Sequence, residues 1–256
     1  MIRILCYISV AITLVACGSK GGRHTDFIDE CDKYGAVVKR SGVGKSVYLV
    51  FSADSLFEGA DTILNVLDKY AIRGSFFFTG NCLRMVEHRE AIKRVISEGH
   101  YVGCHSDRHI LYADWDRMRT SLVSDDSLKQ DLTANYTELA KIGIKKSDAP
   151  YFLPPYEWYN AQNVSAIREW GVVPVNFTPG TVTFDDYTTP DMESRYKSSQ
   201  ELIDALMNYE QTHTLDGRII LIHPGTSPKR TDKLYYRLEE IINTLKSKGY
   251  QFDKLK

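Results

Sequence analysis

The chain has 256 residues, with 32 Lys and Arg against 33 Asp and Glu, so it lacks the basic excess that a general nucleic-acid binder carries. Hydrophobic residues at 43% and charged residues at 25% are ordinary globular values and exclude a disordered or fibrous chain. Five cysteines in this length exclude a disulfide-built scaffold.

At the amino terminus, Arg3 precedes an apolar run from Ile4 to Val15, and Cys17 follows among small residues. The run is too short to span a bilayer comfortably and reads as an export signal over residues 1–17. Leu14-Val15-Ala16-Cys17 resembles the bacterial lipobox, which implies a Cys17 acylated and anchored in a membrane of the cell envelope, facing periplasm or exterior. A plain signal peptide that happens to contain a cysteine is the alternative. Residues 18–45, rich in Gly and Lys, are expected to form a tether and lead-in. Gly44-Lys45-Ser46 is not a phosphate loop. The Gly required five positions earlier is Lys39, and a strand-like segment follows where a helix is needed.

Short β-rich runs then recur at Val47–Phe51, Gly74–Thr79, His100–Cys104, Tyr151–Leu153, Val172–Phe177, Arg218–His223 and Tyr250–Phe252. Apolar residues at helical spacing separate several of them, as in Ile63, Leu64, Leu67 and Tyr70, or Leu234, Leu238, Ile241, Ile242 and Leu245. Alternating strands and helices predict a parallel α/β architecture, and about seven strands predict a closed or nearly closed barrel in one domain over residues 46–256. Chemistry in such barrels sits just past the strand carboxyl ends. There the chain places Asp54, His105 and His109, the segment Pro154 to Trp158, and His223. Two imidazoles with one carboxylate form a three-ligand set for a divalent metal, zinc first, with cobalt, nickel or manganese as alternatives. The alternative for Asp54 is an ordinary helix cap ahead of Ser55–Tyr70. Cys82 and Cys104 follow neighbouring strands and are expected either to bridge or to fill space as thiols.

At these residues the chain resembles the NodB-type polysaccharide deacetylases, carbohydrate esterase family four. Leu49 to Asp54 stands where that family has a strand ending in Thr-Phe-Asp-Asp-Gly, and Ile72 to Gly80 looks like its second strand. Glu98-Gly-His-Tyr-Val-Gly-Cys-His-Ser-Asp-Arg-His109 is similar to its metal-binding segment, and Gly217 to His223 to its late Leu-x-His motif. The resemblance implies a distorted (β/α)7-type barrel. It also implies removal of acetyl groups, N- or O-linked, from envelope or extracellular carbohydrate by metal-held water. Asp54, His105 and His109 would then hold the metal, Tyr156 would serve the oxyanion and His223 would protonate the departing amine. Tyr156 and Trp158 could stack on the sugar. No protein partner is implied.

The chain departs from that pattern. Ungapped alignment puts Ser52 at the family's base Asp and Ala53 at its metal-ligand Asp. Leu153 stands where an Arg orients the base. The Asp-x-x-Asp-Trp motif is not recognisable around Asn176 to Gly180, although Asp185 and Asp186 follow. Glu157, Asp107, Asp185 and Asp186 are the candidate replacement bases, with Glu157 favoured because it adjoins the oxyanion segment. Asp54 itself as base is a further possibility. The alternative to an enzyme is an inactive deacetylase-like module that binds glycan.

Overall fold

The computed structural model describes residues 15–16, 29–41, 44–117 and 119–256. A small antiparallel sheet comes first, of β1 (Val15–Ala16), β2 (Glu30–Cys31) and β3 (Val37–Lys39). The main sheet follows as β4 (Ser46–Ala53), β5 (Ser75–Phe78), β6 (Tyr101–Cys104), β7 (Tyr151–Phe152), β8 (Val173–Pro174), β9 (Ile219–Ile222) and β10 (Gln251–Asp253). Its order is β10-β4-β5-β6-β7-β8, with β9 also on β4, and every pairing is parallel. Helices cover it: α1 (Ala60–Lys69), α2 (Gly80–Arg84), α3 (Arg89–Ser97), α4 (Asp125–Lys141), α5 (Ala161–Glu169), α6 (Ser199–His213) and α7 (Leu238–Ser247). The curled sheet and its helices form a single barrel-like domain, as expected.

Strand periodicity sorts the core into two layers. Along β4, Val47, Leu49, Phe51 and Ala53 pack with the helices in one apolar cluster. Tyr48 and Val50 point the other way and meet Phe77, Tyr101, Leu153 and Leu221 inside the barrel. The same alternation turns Ser52 inward at the strand's end, where it lines the cleft. Phe76, Phe77 and Phe78 of β5 are all fully buried, which is what a central parallel strand covered on both faces requires.

The boundary expected at residue 46 moves back. Residues 29–41 belong to the folded body: Ala36, Val37 and Val38 are buried, and Val37 bridges to Val175 while Lys39 bridges to Arg218. β3 thus occupies the gap between β8 and β9, whose edge groups would otherwise lack partners. The Asn176 amide donates to the Val37 carbonyl at 2.8 Å, and the Arg40 amide to the Gly217 carbonyl at 2.8 Å. At Gly217, φ is +73° and an added Cβ would lie 1.6 Å from the Arg40 carbonyl oxygen, so no other residue fits. Cys17 and nearly all of the expected signal lie outside the described residues. No helix among the described residues is long and apolar enough to cross a membrane. Cys82 and Cys104 are buried free thiols, not a bridge.

Candidate active-site cleft

A cleft of about 1620 Å³ opens where the strand carboxyl ends converge, and Asp54, His105, His109, Tyr156, Glu157, Trp158 and His223 all line it. One wall carries the two imidazoles at the end of β6. Their segment is an irregular loop rather than a helical turn, with Ser106 at φ +77° and His109 at φ +54°. These left-handed residues bring the His105 and His109 ring centroids to 5.0 Å. α4 holds the loop from behind. Asp131 accepts from the Asp107 and Arg108 amides, each at 3.2 Å, and from the Tyr112 hydroxyl at 2.7 Å. One turn on, the Asn135 side-chain amide donates to the Ser106 carbonyl at 2.7 Å and to the Phe78 carbonyl at 3.0 Å. Gly80 allows the close fit beside it, since a Cβ there would lie 1.9 Å from Asp107 Oδ1.

His105 is buried, and its Nδ1 lies 2.8 Å from the Leu153 carbonyl oxygen. A carbonyl only accepts, so Nδ1 carries the proton and Nε2 presents a lone pair. Burial, with the neighbouring His109 adding to it, holds its pKa well below the ordinary 6.5. Burial lowers His109 as well, against the opposing pull of Asp54. Asp54 stands at the cleft with Oδ1 accepting from the Thr79 hydroxyl at 2.8 Å and the Asn81 amide at 3.1 Å.

The opposite wall ends β9. His223 Nδ1 lies 2.5 Å from Asp186 Oδ1, and the His223 amide donates to Asp186 Oδ2 at 2.9 Å. Burial pulls this imidazole down, but the Asp186 charge and hydrogen bond outweigh it, and the net shift is upward. Asp186 is therefore the carboxylate neighbour that His223 needs.

Between the walls runs the segment after β7. Tyr156 and Glu157 both adopt left-handed backbone, φ +58° and +52°, a conformation that costs free energy for residues other than Gly. Asn176 donates to the Glu157 carbonyl at 3.0 Å and steadies the kink. The Glu157 side chain is about 10% exposed, with Oε1 4.0 Å from His105 Nε2. Burial raises its carboxyl to about 7. Of the other candidate bases, Asp107 pairs with Arg84 at 2.7 Å and Asp186 is committed to His223. Asp185 is not among the residues lining the cleft.

Tyr156 is exposed and its ring lies 4.3 Å from His109. Trp158 is pinned by a bond from Nε1 to the Asp114 carbonyl at 2.9 Å and by the Arg119 guanidinium 3.3 Å above it. Trp115 completes the platform, 5.7 Å from Tyr156 and 5.3 Å from Trp158. Neither Trp115, Asp131 nor Asn135 stands beside a strand end, which is the signal that located the other residues.

The donor types of this wall are those a divalent cation takes, because His105 offers a fixed lone pair and the Glu157 carboxylate lies 4.0 Å from it. As the side chains stand, however, no three His, Cys, Asp or Glu residues among those described close on one point. The expected trio of Asp54, His105 and His109 is thus gathered in the cleft without forming a finished three-donor centre.

A sequence model of the polysaccharide deacetylase family matches residues 39–175. The peptidoglycan-N-acetylmuramic acid deacetylase PdaA of Bacillus subtilis is 26% identical over 226 residues, covering 88% of this chain and 75% of that protein. The solved structure of Bacillus subtilis PdaA superposes with a TM-score of 0.66 at 22% identity, covering 94% of each chain. BA3943 of Bacillus anthracis, described as a family-four pseudoenzyme, also superposes at 0.66, with 20% identity over 86% of this chain and 67% of that one.

Proposed function

This chain belongs to the polysaccharide deacetylase family, and we propose that it removes acetyl groups from acetylated carbohydrate at the cell envelope, held there by acylated Cys17. The observation that carries this reading is His223 with its buried Asp186 partner, set in the same cleft as the His105–His109 pair. Binding alone has no use for an imidazole tuned upward by a carboxylate. Hydrolysis of an amide does, because the departing amine must gain a proton. Asp186 fixes the proton on Nδ1, so Nε2 is the atom that delivers it from the imidazolium. The kinked Tyr156 segment lies beside the imidazole pair, where backbone donors would meet the tetrahedral oxyanion. The water's proton passes to a carboxylate of the same region, Glu157 or Asp54, and Glu157 at about 7 can accept it at neutral pH. His105 and His109 would hold a divalent ion, zinc first, which when bound supplies polarisation of the acetyl carbonyl and a more acidic water. Trp115, Tyr156 and Trp158 offer faces for a sugar ring.

The test is acetate release from acetylated chito-oligosaccharides and from peptidoglycan, with chelator and with added Zn²⁺ or Co²⁺. Release above background that falls with chelator supports the reading, and none from any substrate refutes it. A second reading, a glycan-binding module without turnover, is favoured by Ser52 and Ala53 at the end of β4 and by the unfinished donor set. Binding of the same glycans without acetate release would select it. Cys17→Ser should move the protein out of the membrane fraction, and unchanged fractionation would refute the anchor.

A further inference from the structure

We propose that Arg119 reads a carboxylate on the glycan, so that the cleft takes an acidic N-acetylated polysaccharide in preference to a neutral one; this deepens the deacetylase reading and rests on it for the glycan. Away from the cleft, Arg84, Arg94 and Arg237 each pair with a carboxylate. Lys33, Arg119, Arg195 and Arg218 line the cleft, and none of them forms an ion pair with a described residue. Arg195 donates to the Tyr187 hydroxyl at 2.9 Å and acts on Asp185 only through space. Of the acids that line the same cleft, Glu30 pairs with Lys39 and Asp32 accepts from the Tyr159 hydroxyl at 2.8 Å. The outer cleft is thus left with positive charge to spare.

Arg119 is the cation best prepared to use it. Its guanidinium lies 3.3 Å from the ring centroid of Trp158 and 4.8 Å from that of Tyr34. One nitrogen donates to the Tyr159 carbonyl at 2.9 Å, and the Arg119 carbonyl accepts from the Asn160 side chain at 2.6 Å. The rest of the fork bonds to no described residue. A guanidinium stacked and anchored in this way has already lost its freedom, so it gains a bidentate partner at small entropic cost. One planar fork matches one planar carboxylate. A doubly charged phosphate would meet stronger repulsion from Asp54 and Glu157 in the same cleft. The aromatic contacts run in order from His109 to Tyr156, Trp115, Trp158 and Arg119. A glycan laid along them meets the imidazole pair with one sugar and the guanidinium with the next.

The full chain would be titrated by calorimetry with four N-acetylated glycans of matched length: neutral chito-oligosaccharide, hyaluronan oligosaccharide with its uronate, peptide-free peptidoglycan strands with their lactyl carboxylate, and those strands with the carboxyls reduced to alcohols. At least one carboxylate-bearing glycan should bind ~10-fold or more tightly than the neutral ones, and the gap should narrow with added salt. Whichever acidic glycan binds names the source of the carboxylate. Arg119→Gln should weaken that glycan by ~10-fold or more and chito-oligosaccharide by less than ~3-fold. Acidic glycans that bind no better than neutral ones, or an Arg119→Gln that loses both alike, would overturn the proposal. Comparison among the four glycans needs no variant, so a misfolded Arg119→Gln leaves the test intact. Acetate release would be followed on the same glycans. Preference for the carboxylate without release leaves the Arg119 site standing and removes only the reaction. Release from neutral and acidic glycans alike, with equal affinities, does the reverse.

Discussion

Two walls of one cleft carry imidazoles whose acidities move in opposite directions. On the β6 wall, His105 and His109 are driven below the ordinary 6.5, chiefly by burial. On the β9 wall, burial also pulls His223 down and yet its net shift is upward, because Asp186 stands 2.5 Å from its Nδ1. Burial alone therefore does not decide what a histidine does. One matched carboxylate turns a neutral lone-pair donor into a proton carrier, and the reading of the cleft as a hydrolase depends on that contrast.

The contrast breaks most completely at His223. His223→Gln should lower acetate release by roughly 10²–10⁴-fold with metal content unchanged, measured as initial rates beside elemental analysis. Equal activity in the variant would return His223 to a structural role. Asp186→Asn sharpens the same point by removing the charge and keeping the shape. Donation requires the imidazolium, so activity should fall as pH rises through the raised His223 value. In Asp186→Asn that alkaline limb should move to lower pH, and a pH–rate profile with an unmoved limb would refute the coupling.

Stability should follow the same signs. His223, raised on folding, adds stability below about 6.5 that is lost as pH rises through its folded value. His105 and His109, lowered on folding, add stability above about 6.5 that is lost as pH falls through theirs. Resolved imidazole titrations by NMR on the metal-free chain should therefore place His223 on the high side and the pair on the low side. The reverse order would undo the comparison.

Support for the β6 wall can be removed from behind. Asp131→Ala strands two loop amides and the Tyr112 hydroxyl, and should cost about 1–3 kcal/mol or more in denaturant unfolding, with weaker metal binding. The smallest effect is expected at Trp115→Ala. Loss of one exposed ring of the platform should weaken glycan affinity by roughly 2–10-fold, from about 0.5–1.5 kcal/mol of aromatic contact, and leave metal binding alone. Unchanged glycan affinity would remove Trp115 from the substrate path.

The barrel strands were legible because each is a short apolar run bounded by breaks in the pattern. Val47–Phe51 grew to Ser46–Ala53, while Val172–Phe177 shrank to Val173–Pro174, since boundaries depend on which neighbour pairs. His105, His109 and His223 were found because strand ends point at one rim. Residues 29–41 were misread as tether because Ala36-Val37-Val38 is a weak signal by itself. Its value as a strand comes from edges at Val175 and Arg218, far along the chain.

Sequence alone determined the parallel barrel, the rim on which chemistry gathers and the residue types available there, because periodicity and strand order are local properties of the chain. Tertiary structure decided which carboxylate serves which imidazole. Asp186 rather than Asp185 reaches His223, Glu157 rather than Asp107 faces His105, and Asp131 and Asn135 of α4 hold the β6 loop. The β6 loop itself depends on left-handed backbone at Ser106 and His109, which no propensity announces. These are contacts between atoms that are distant in sequence and a few ångströms apart in space. Their energies fall so steeply with distance that only the folded geometry selects among them.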